Sequence, residues 1–520
     1  MTRSAHPAFV ALAVATVTLA SCGRSTALHV PDASTSVSFK VPVPSPIRLL
    51  DMVFMIDNSA MAPKVTKLNA QFPKLIAALQ DPNDNNRLPD LRIAIIDSDL
   101  GTANAYGVGS CGPKTLADGT TSTYGDLGRF QMPNAASCGM TSADAKWLEY
   151  TKGKPVNFTG DINAVFACLA SGLGTLGCGE EHSLQAFEFA LVAGGIGNEG
   201  QHAMLRPNAL LALVFITDED DCSAAMNDGM FGDKPALQGE SASLRCATRA
   251  HQCGNQTLTT SPPGYPTTAS FSAPFSTCAA RTDSCPNLTD GDPNGTDTSV
   301  PTSCSPLKNV KHLSQEIKGL KSDPDSQIVV AGIFGWPLSD EDMASATYKI
   351  APVPNPNIAD TAHPTVFDLW PVCYDPSHKP ASSTEFDPAA AGMGAMPGLR
   401  LAAFIDEFGK NGLKASICQS DFSATMSQIG AKLAQHLANR CLPASYAQYK
   451  SCSAYYLVPD SAGGYTRQAD AAPSCDFSPS VPGCYSLVPD GAPCATGEFL
   501  VQVNTDATLA PGTLLEFGCR

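Results

Sequence analysis

Asp57, Asn58 and Ser59 follow directly on the apolar run at 49–56, and Thr217, Asp218, Glu219, Asp220 and Asp221 follow directly on a second run at 210–216. Carboxylates and hydroxyls are hard oxygen donors, and Mg²⁺ or Ca²⁺ needs several of them converging on one point. Open α/β sheets collect ligands outside the carboxyl ends of neighbouring strands, where two such clusters would meet. Each cluster also has a plain alternative. Asp57 and Ser59 are residue types that cap a following helix, and Asp218 to Asp221 could form a solvated acidic loop with Cys222 as a staple.

The elements around these clusters alternate. After the first run, Val65, Leu68, Phe72, Leu75 and Leu79 share one helical stripe. A polar turn at 81–86 leads to another apolar run at 91–96, and helical patterns return near 161–171 and 182–193. Beyond the 210–216 run come a helix near 307–320, a strand at 327–334, a helix at 398–409, a short strand at 413–417 and a helix at 422–438. This alternation predicts an α/β fold with a doubly wound, mostly parallel sheet covered by helices on both faces. Segments 224–303 and 336–395 are rich in Ser, Thr, Pro, Gly and Cys and read as insertions. From Cys441 to the C-terminus, recurring cysteines and short strand-like runs predict a small β-rich, disulfide-bonded module over 441–520.

The 520 residues, 43% of them hydrophobic, suffice for a sizeable core. A formal charge of −16 argues against a nucleic-acid partner, whose phosphates demand a basic face. Arg3 and His6 precede an apolar stretch reaching Leu19, with the proportions of a signal peptide over 1–21. The sequence Leu19-Ala20-Ser21-Cys22-Gly23 resembles the lipobox of bacterial lipoproteins, which implies lipid attachment at Cys22. By that likeness Gly23, where inner-membrane lipoproteins carry an aspartate, favours the outer membrane, and residues 22–45 read as a tether. Without Cys22, eighteen of the nineteen cysteines remain, none in a CxxC pair. In an exported chain this predicts disulfides rather than a zinc site. Spacing does not fix their pairing; Cys111 with Cys138 and Cys168 with Cys178 are the local loops expected.

Phe54-Met55-Ile56-Asp57-Asn58-Ser59, Phe215-Ile216-Thr217-Asp218-Glu219-Asp220-Asp221-Cys222 and Cys178-Gly179-Glu180-Glu181 together resemble von Willebrand factor A domains, in particular the cysteine-rich A-domain lipoproteins of myxobacteria and related bacteria. The resemblance covers roughly 46–440. It implies a metal-ion-dependent adhesion site, in which the cation keeps one position open for an acidic group of a partner protein. Asp57, Ser59 and Asp218 match its positions, and Glu181 stands where the family has a threonine. Met61 stands where the family has a second serine; a thioether is a poor ligand for a hard cation, so that oxygen is lost.

Elsewhere the chemistry is sparse. The loop at 290–297 has the acidic and amide spacing of the start of an EF-hand loop, but Pro301 stands where the closing glutamate belongs. The sequence contains no GxSxG, HExxH or P-loop. His182, beside Glu180 and Glu181, reads as a surface residue at a helix start. The sequence therefore predicts a lipid-anchored outer-membrane or surface protein that binds a protein or surface ligand, with Mg²⁺ or Ca²⁺ held by Asp57, Ser59, Glu181 and Asp218. The rival is a structural envelope protein that uses the same domain as a metal-independent scaffold and makes contacts through its insertions. A metal-assisted hydrolase is the more distant alternative.

Overall fold

A computed structural model describes residues 37–42, 48–80, 86–101, 111–116, 119–122, 125–142, 145–192, 201–207, 209–224, 242–253, 256–257, 278–284, 305–321, 323–338, 350–354, 365–375, 394–437, 441–449, 451–460, 464–476, 483–489, 497–503 and 513–520. The expected signal peptide, the lipobox cysteine Cys22 and the acidic loop at 290–297 lie outside them. No helix among the described residues is long and apolar enough to cross a membrane.

The apolar runs meet in one seven-stranded sheet. Its strands in chain order are β1 (Leu49–Ile56), β2 (Asp90–Ile96), β3 (Leu148–Thr151), β4 (Lys154–Pro155), β5 (Leu210–Ile216), β6 (Ile328–Phe334) and β7 (Gly412–Ser416). The spatial order is β7-β6-β5-β1-β2-β3-β4. Neighbours from β7 to β2 pair in parallel, whereas β3 and β4 add on antiparallel. Side chains alternate between the two faces of a strand. Leu50, Met52 and Phe54 of β1 accordingly join the core with α1 (Ala62–Ala78), α2 (Ile162–Gly172) and α7 (Ser423–Leu437), while Val53 and Met55 face α3 (Ser183–Leu191), α5 (Val310–Lys318) and α6 (Leu399–Asp406). The remaining labelled helix, α4 (Ala242–Ala250), belongs to the first insertion. Burial on both faces is why, rather than alternating, β5 and β6 are apolar along their length and β1 is apolar but for Asp51, which is buried against Arg206. On the α1 side, Phe72 stacks on Phe166 with centroids 3.9 Å apart, and Phe54 tilts against both.

The doubly wound, mostly parallel class expected from the sequence is corrected here. The main sheet is mixed, and the sixteen other strands of the described residues lie in six sheets that are antiparallel throughout. The physical reason is that short antiparallel strands carry no long apolar run. The hairpin of β3 and β4 has four and two residues and turns on Lys152 and Gly153, both at positive φ. The tether reading is corrected at 37–42. That segment is a strand paired antiparallel with Leu514–Cys519, and Val41 sits in one core with Leu442, Tyr456 and Phe517. The N-terminal strand thus completes the module at the far end of the chain.

Seven disulfides join described residues: Cys111–Cys178, Cys138–Cys168, Cys222–Cys246, Cys253–Cys278, Cys373–Cys418, Cys452–Cys519 and Cys475–Cys484. The first two are nested, which corrects the expected local loops. Such a framework belongs to a chain that matures in an oxidising compartment, at the cell surface or outside it. Reduction should lower its unfolding temperature steeply, since each native disulfide of a small module contributes about 2–5 kcal/mol. A melting curve unchanged after complete thiol titration would show that they add nothing to stability.

Candidate cation site at the strand ends

β1 and β5 end side by side, with the amide of Asp57 donating to the carbonyl of Ile216 at 2.9 Å. Asp57 is fully buried. Its Oδ1 accepts from the amide (2.7 Å) and hydroxyl (2.9 Å) of Ser59, and its Oδ2 accepts from the Thr217 hydroxyl at 2.9 Å. Asp57 does not cap α1: the cap position is Met61, which offers no side-chain bond. Met61 is instead a fully buried core residue, so no oxygen comes from that position. The turn between them is tight, with Ala60 at φ 49°. It is held against a neighbouring loop by Ala60 amide to Thr175 carbonyl (3.2 Å) and Gly177 amide to Asn58 carbonyl (2.9 Å). A Cβ at Gly177 would lie 1.8 Å from Asn58 Oδ1, so any other residue there must push the Asn58 side chain aside.

Glu181 enters the same space from the N-terminal approach to α3 and is 1% exposed. Ser98 donates to its Oε2, while its Oε1 has no hydrogen-bond partner. Burial, then the charges of Asp57 and Glu219, push Glu181 well above the ordinary carboxylate range. Asp57 is pushed up to about 7 by burial and then by Asp218. Glu219 is also pushed well up, by burial and then by Asp218 and Asp57. Its Oε2 accepts from Ser243 of α4 at 2.8 Å. Asp57 and Ser59 thus follow β1 and Asp218 and Glu219 follow the neighbouring strand β5, at the carboxyl end of the sheet, with Glu181 approaching them from the start of α3.

Asp218 has a different partner from the rest. It forms an ion pair with Lys64, in the first turn of α1, and Lys64 also donates to the Gly394 carbonyl at 3.1 Å. The solvated-loop alternative for Asp218 to Asp221 is overturned as well. Asp220 accepts from the amides of Arg400 and Leu401 at the start of α6 and from His251 Nε2 at 2.7 Å. Asp221, fully buried, pairs with Arg400. His182 is also buried rather than on the surface, and burial drops its pKa to about 4.

Three residues outside the predicted set, Glu219, Thr217 and Ser98, stand among these groups. Glu219 lies in a quoted motif but next to the position the family resemblance favours. Ser98 belongs to Asp97-Ser98-Asp99, which follows β2 as the other clusters follow β1 and β5, so the same signal could have found it. The resulting donors are the carboxylates of Asp57, Glu181 and Glu219 with the hydroxyls of Ser59, Thr217 and Ser98. All are oxygen, the set a hard divalent cation prefers. The orphaned Oε1 of Glu181 fits such an ion. Among the described residues, the one group of three Cys, His or carboxylate side chains whose ligand atoms all lie within 4.8 Å of one another is Glu180, Cys222 and Cys246, both of whose sulfurs are spent in a disulfide; the carboxylates of Asp57, Glu181 and Glu219 do not all lie within that distance and would have to close on an ion.

No family model matches the chain, and no curated protein matches it. Solved structures with some likeness include the pilus adhesin SpaC of Lactobacillus rhamnosus GG in its open conformation, at 9% identity and a TM-score of 0.27, covering 93% of this chain and 40% of that one. Others are the three N-terminal domains of the type V pili tip protein Mfa5 of Porphyromonas gingivalis (10%, TM-score 0.26, 93% and 67%) and the pilus adhesin RrgA of Streptococcus pneumoniae (10%, TM-score 0.23, 93% and 57%). This chain thus spans about 40% of the length of the first. Likeness at this level carries no argument about function.

Proposed function

We propose that this is a binding protein of the cell envelope or surface, lipid-anchored through Cys22 and related to the A-domain lipoproteins. In this reading it holds a divalent cation at Asp57, Ser59, Glu181 and Glu219, and the cation takes a carboxylate of a partner protein. One observation carries the proposal: Asp57 and Glu181 are buried, Glu219 is partly buried beside them, and none of the three forms an ion pair among the described residues. Buried charges are ordinarily paired or bound to a metal. When bound, the ion supplies the positive charge that lets all three carboxylates ionise. Ser59 and Thr217 fix the orientation of Asp57, and Ser98 fixes that of Glu181.

The scaffold reading keeps one observation in its favour, the Lys64 ammonium already seated on Asp218. Calorimetric titration of Mg²⁺, Ca²⁺ and Mn²⁺ into the full chain in detergent separates the two readings. Micromolar to millimolar binding that disappears in Asp57→Asn/Glu219→Gln supports the cation site. Absent binding, or binding unchanged in that variant, leaves the scaffold and moves attention to the insertions.

A further inference from the structure

We infer that Lys64 is a built-in competitor of the cation: its ammonium holds Asp218 out of the ligand set, and cation binding that recruits Asp218 must first displace it. The inference rests on the proposed cation site and concerns how that site is tuned. Lys64 is 3% exposed, an environment in which a lysine needs a partner. It has two: the Asp218 carboxylate and the Gly394 carbonyl. Gly394 leads into the segment that lies over the end of β5, where the Met396 amide donates to the Asp218 carbonyl at 2.7 Å. One turn further along α1, Lys67 pairs with Asp375 and donates to the Gln419 carbonyl at 2.8 Å. Asp375 and Gly394 flank the same excursion, whose short strands at Cys373–Tyr374 and Gly394–Ala395 pair with each other. Lys64 therefore joins the mouth of the site to the strand pair that flanks that excursion.

The charge arithmetic supports this role. Asp57, Glu181, Asp218 and Glu219 sum to four negative charges when ionised, against one ammonium. A divalent ion bound beside an unmoved Lys64 meets a like charge at close range. With Lys64 swung out, Asp218 becomes a fourth carboxylate. A partner that draws Lys64 away, by offering its own carboxylate, would tighten the cation at the same moment.

The test measures Mn²⁺ and Ca²⁺ affinity of the full chain by calorimetry. Lys64→Met should bind about tenfold more tightly, the size expected of one like charge in a partly screened site. Lys64→Arg should stay near the native affinity, and Asp218→Asn in the Lys64→Met background should cancel the gain. Equal or weaker binding by Lys64→Met, with Asp57→Asn still abolishing it, would overturn the inference and leave the cation site standing. Binding by neither chain would overturn both. A measurement on the native protein covers the case of a misfolded variant: acetylation of Lys64, followed by mass spectrometry, should speed up several-fold at saturating cation. Lys308, buried against Glu188, should not change. Unchanged labelling of Lys64 in a protein shown to bind the cation would equally overturn the inference.

Discussion

Replacing Asp221 with alanine should destabilise the protein by about 3–5 kcal/mol, the cost of removing one member of a buried ion pair. Asp221 is fully buried, and Arg400 is 1% exposed. Arg400 Nε and Nη2 both donate to Asp221 Oδ2, at 3.0 and 2.9 Å. The other oxygen accepts from the Leu184 amide at 2.8 Å, within the first turn of α3, and from the Ser223 hydroxyl. The substitution leaves a guanidinium in the interior with, among the described residues, only the Lys308 carbonyl, 2.8 Å from Nη2, still accepting from it. It also orphans a helix-start amide. Urea unfolding measures the loss. Asp221→Leu/Arg400→Met should recover much of it, because no charge then remains unpaired. A loss below about 1 kcal/mol in the single variant would mean that water reaches Arg400 and screens it. The pair also bears on the site, since Asp221 anchors the loop that carries Glu219.

Much of this arrangement was legible in the sequence, and the illegible parts have identifiable causes. β5 and β6 announce themselves as unbroken apolar runs, and β1 as one broken only by Asp51, because both of their faces are buried. The hydroxyl and carboxylate residues that end β1 and β5 stand out against those runs. The antiparallel sheets do not, since most of their strands have five residues or fewer and the longer ones, such as 452–459 and 465–471, mix polar with apolar residues. Disulfide pairing fails for another reason: Cys111 pairs across 67 residues with Cys178 because the loop after β2 folds back on the approach to α3, a long-range fact that spacing does not hold. The exchange of Asp218 for Glu219 depends on where a single lysine side chain ends. The sequence does not single out Lys64, which stands beside the helical stripe of Val65 and Leu68. Only the fold shows it reaching the end of β5. Asp97-Ser98-Asp99 was readable by the logic already applied to the other two strands and was passed over.

Cation affinity should rise with pH from 6 upward as Asp57, Glu181 and Glu219 give up their protons, and the metal-free protein should lose stability as pH rises through about 7. Asp57, raised from 3.8 to about 7, and Glu180, raised from 4.5 to about 7 by burial against the opposing pull of Arg245 and Arg249, keep their protons in the folded chain where the unfolded chain has lost them. Between pH 4 and 7 the folded state therefore binds more protons, so stability is full below the unfolded pKa values and falls as pH rises through about 7. His182 opposes this. Its pKa of about 4 against 6.5 makes the unfolded state the better proton acceptor, a penalty that grows as pH falls from 6.5 towards 4. With one pKa unit equivalent to about 1.4 kcal/mol, the two carboxylates outweigh the histidine by a few kcal/mol. Above pH 6.5 His182 no longer contributes, and the carboxylates alone set the slope. A divalent cation takes the ionised form of Asp57, so binding below pH 7 must expel its proton. Affinity should then change by up to about tenfold per pH unit for each proton expelled. The stabilisation conferred by Mn²⁺ or Ca²⁺ in a thermal melt should accordingly be larger at pH 8 than at pH 6. Calorimetric enthalpies in buffers of different ionisation heat should reveal the released proton directly. A cation affinity that stays flat from pH 6 to 8, with no buffer dependence, would remove Asp57 from the ligand set.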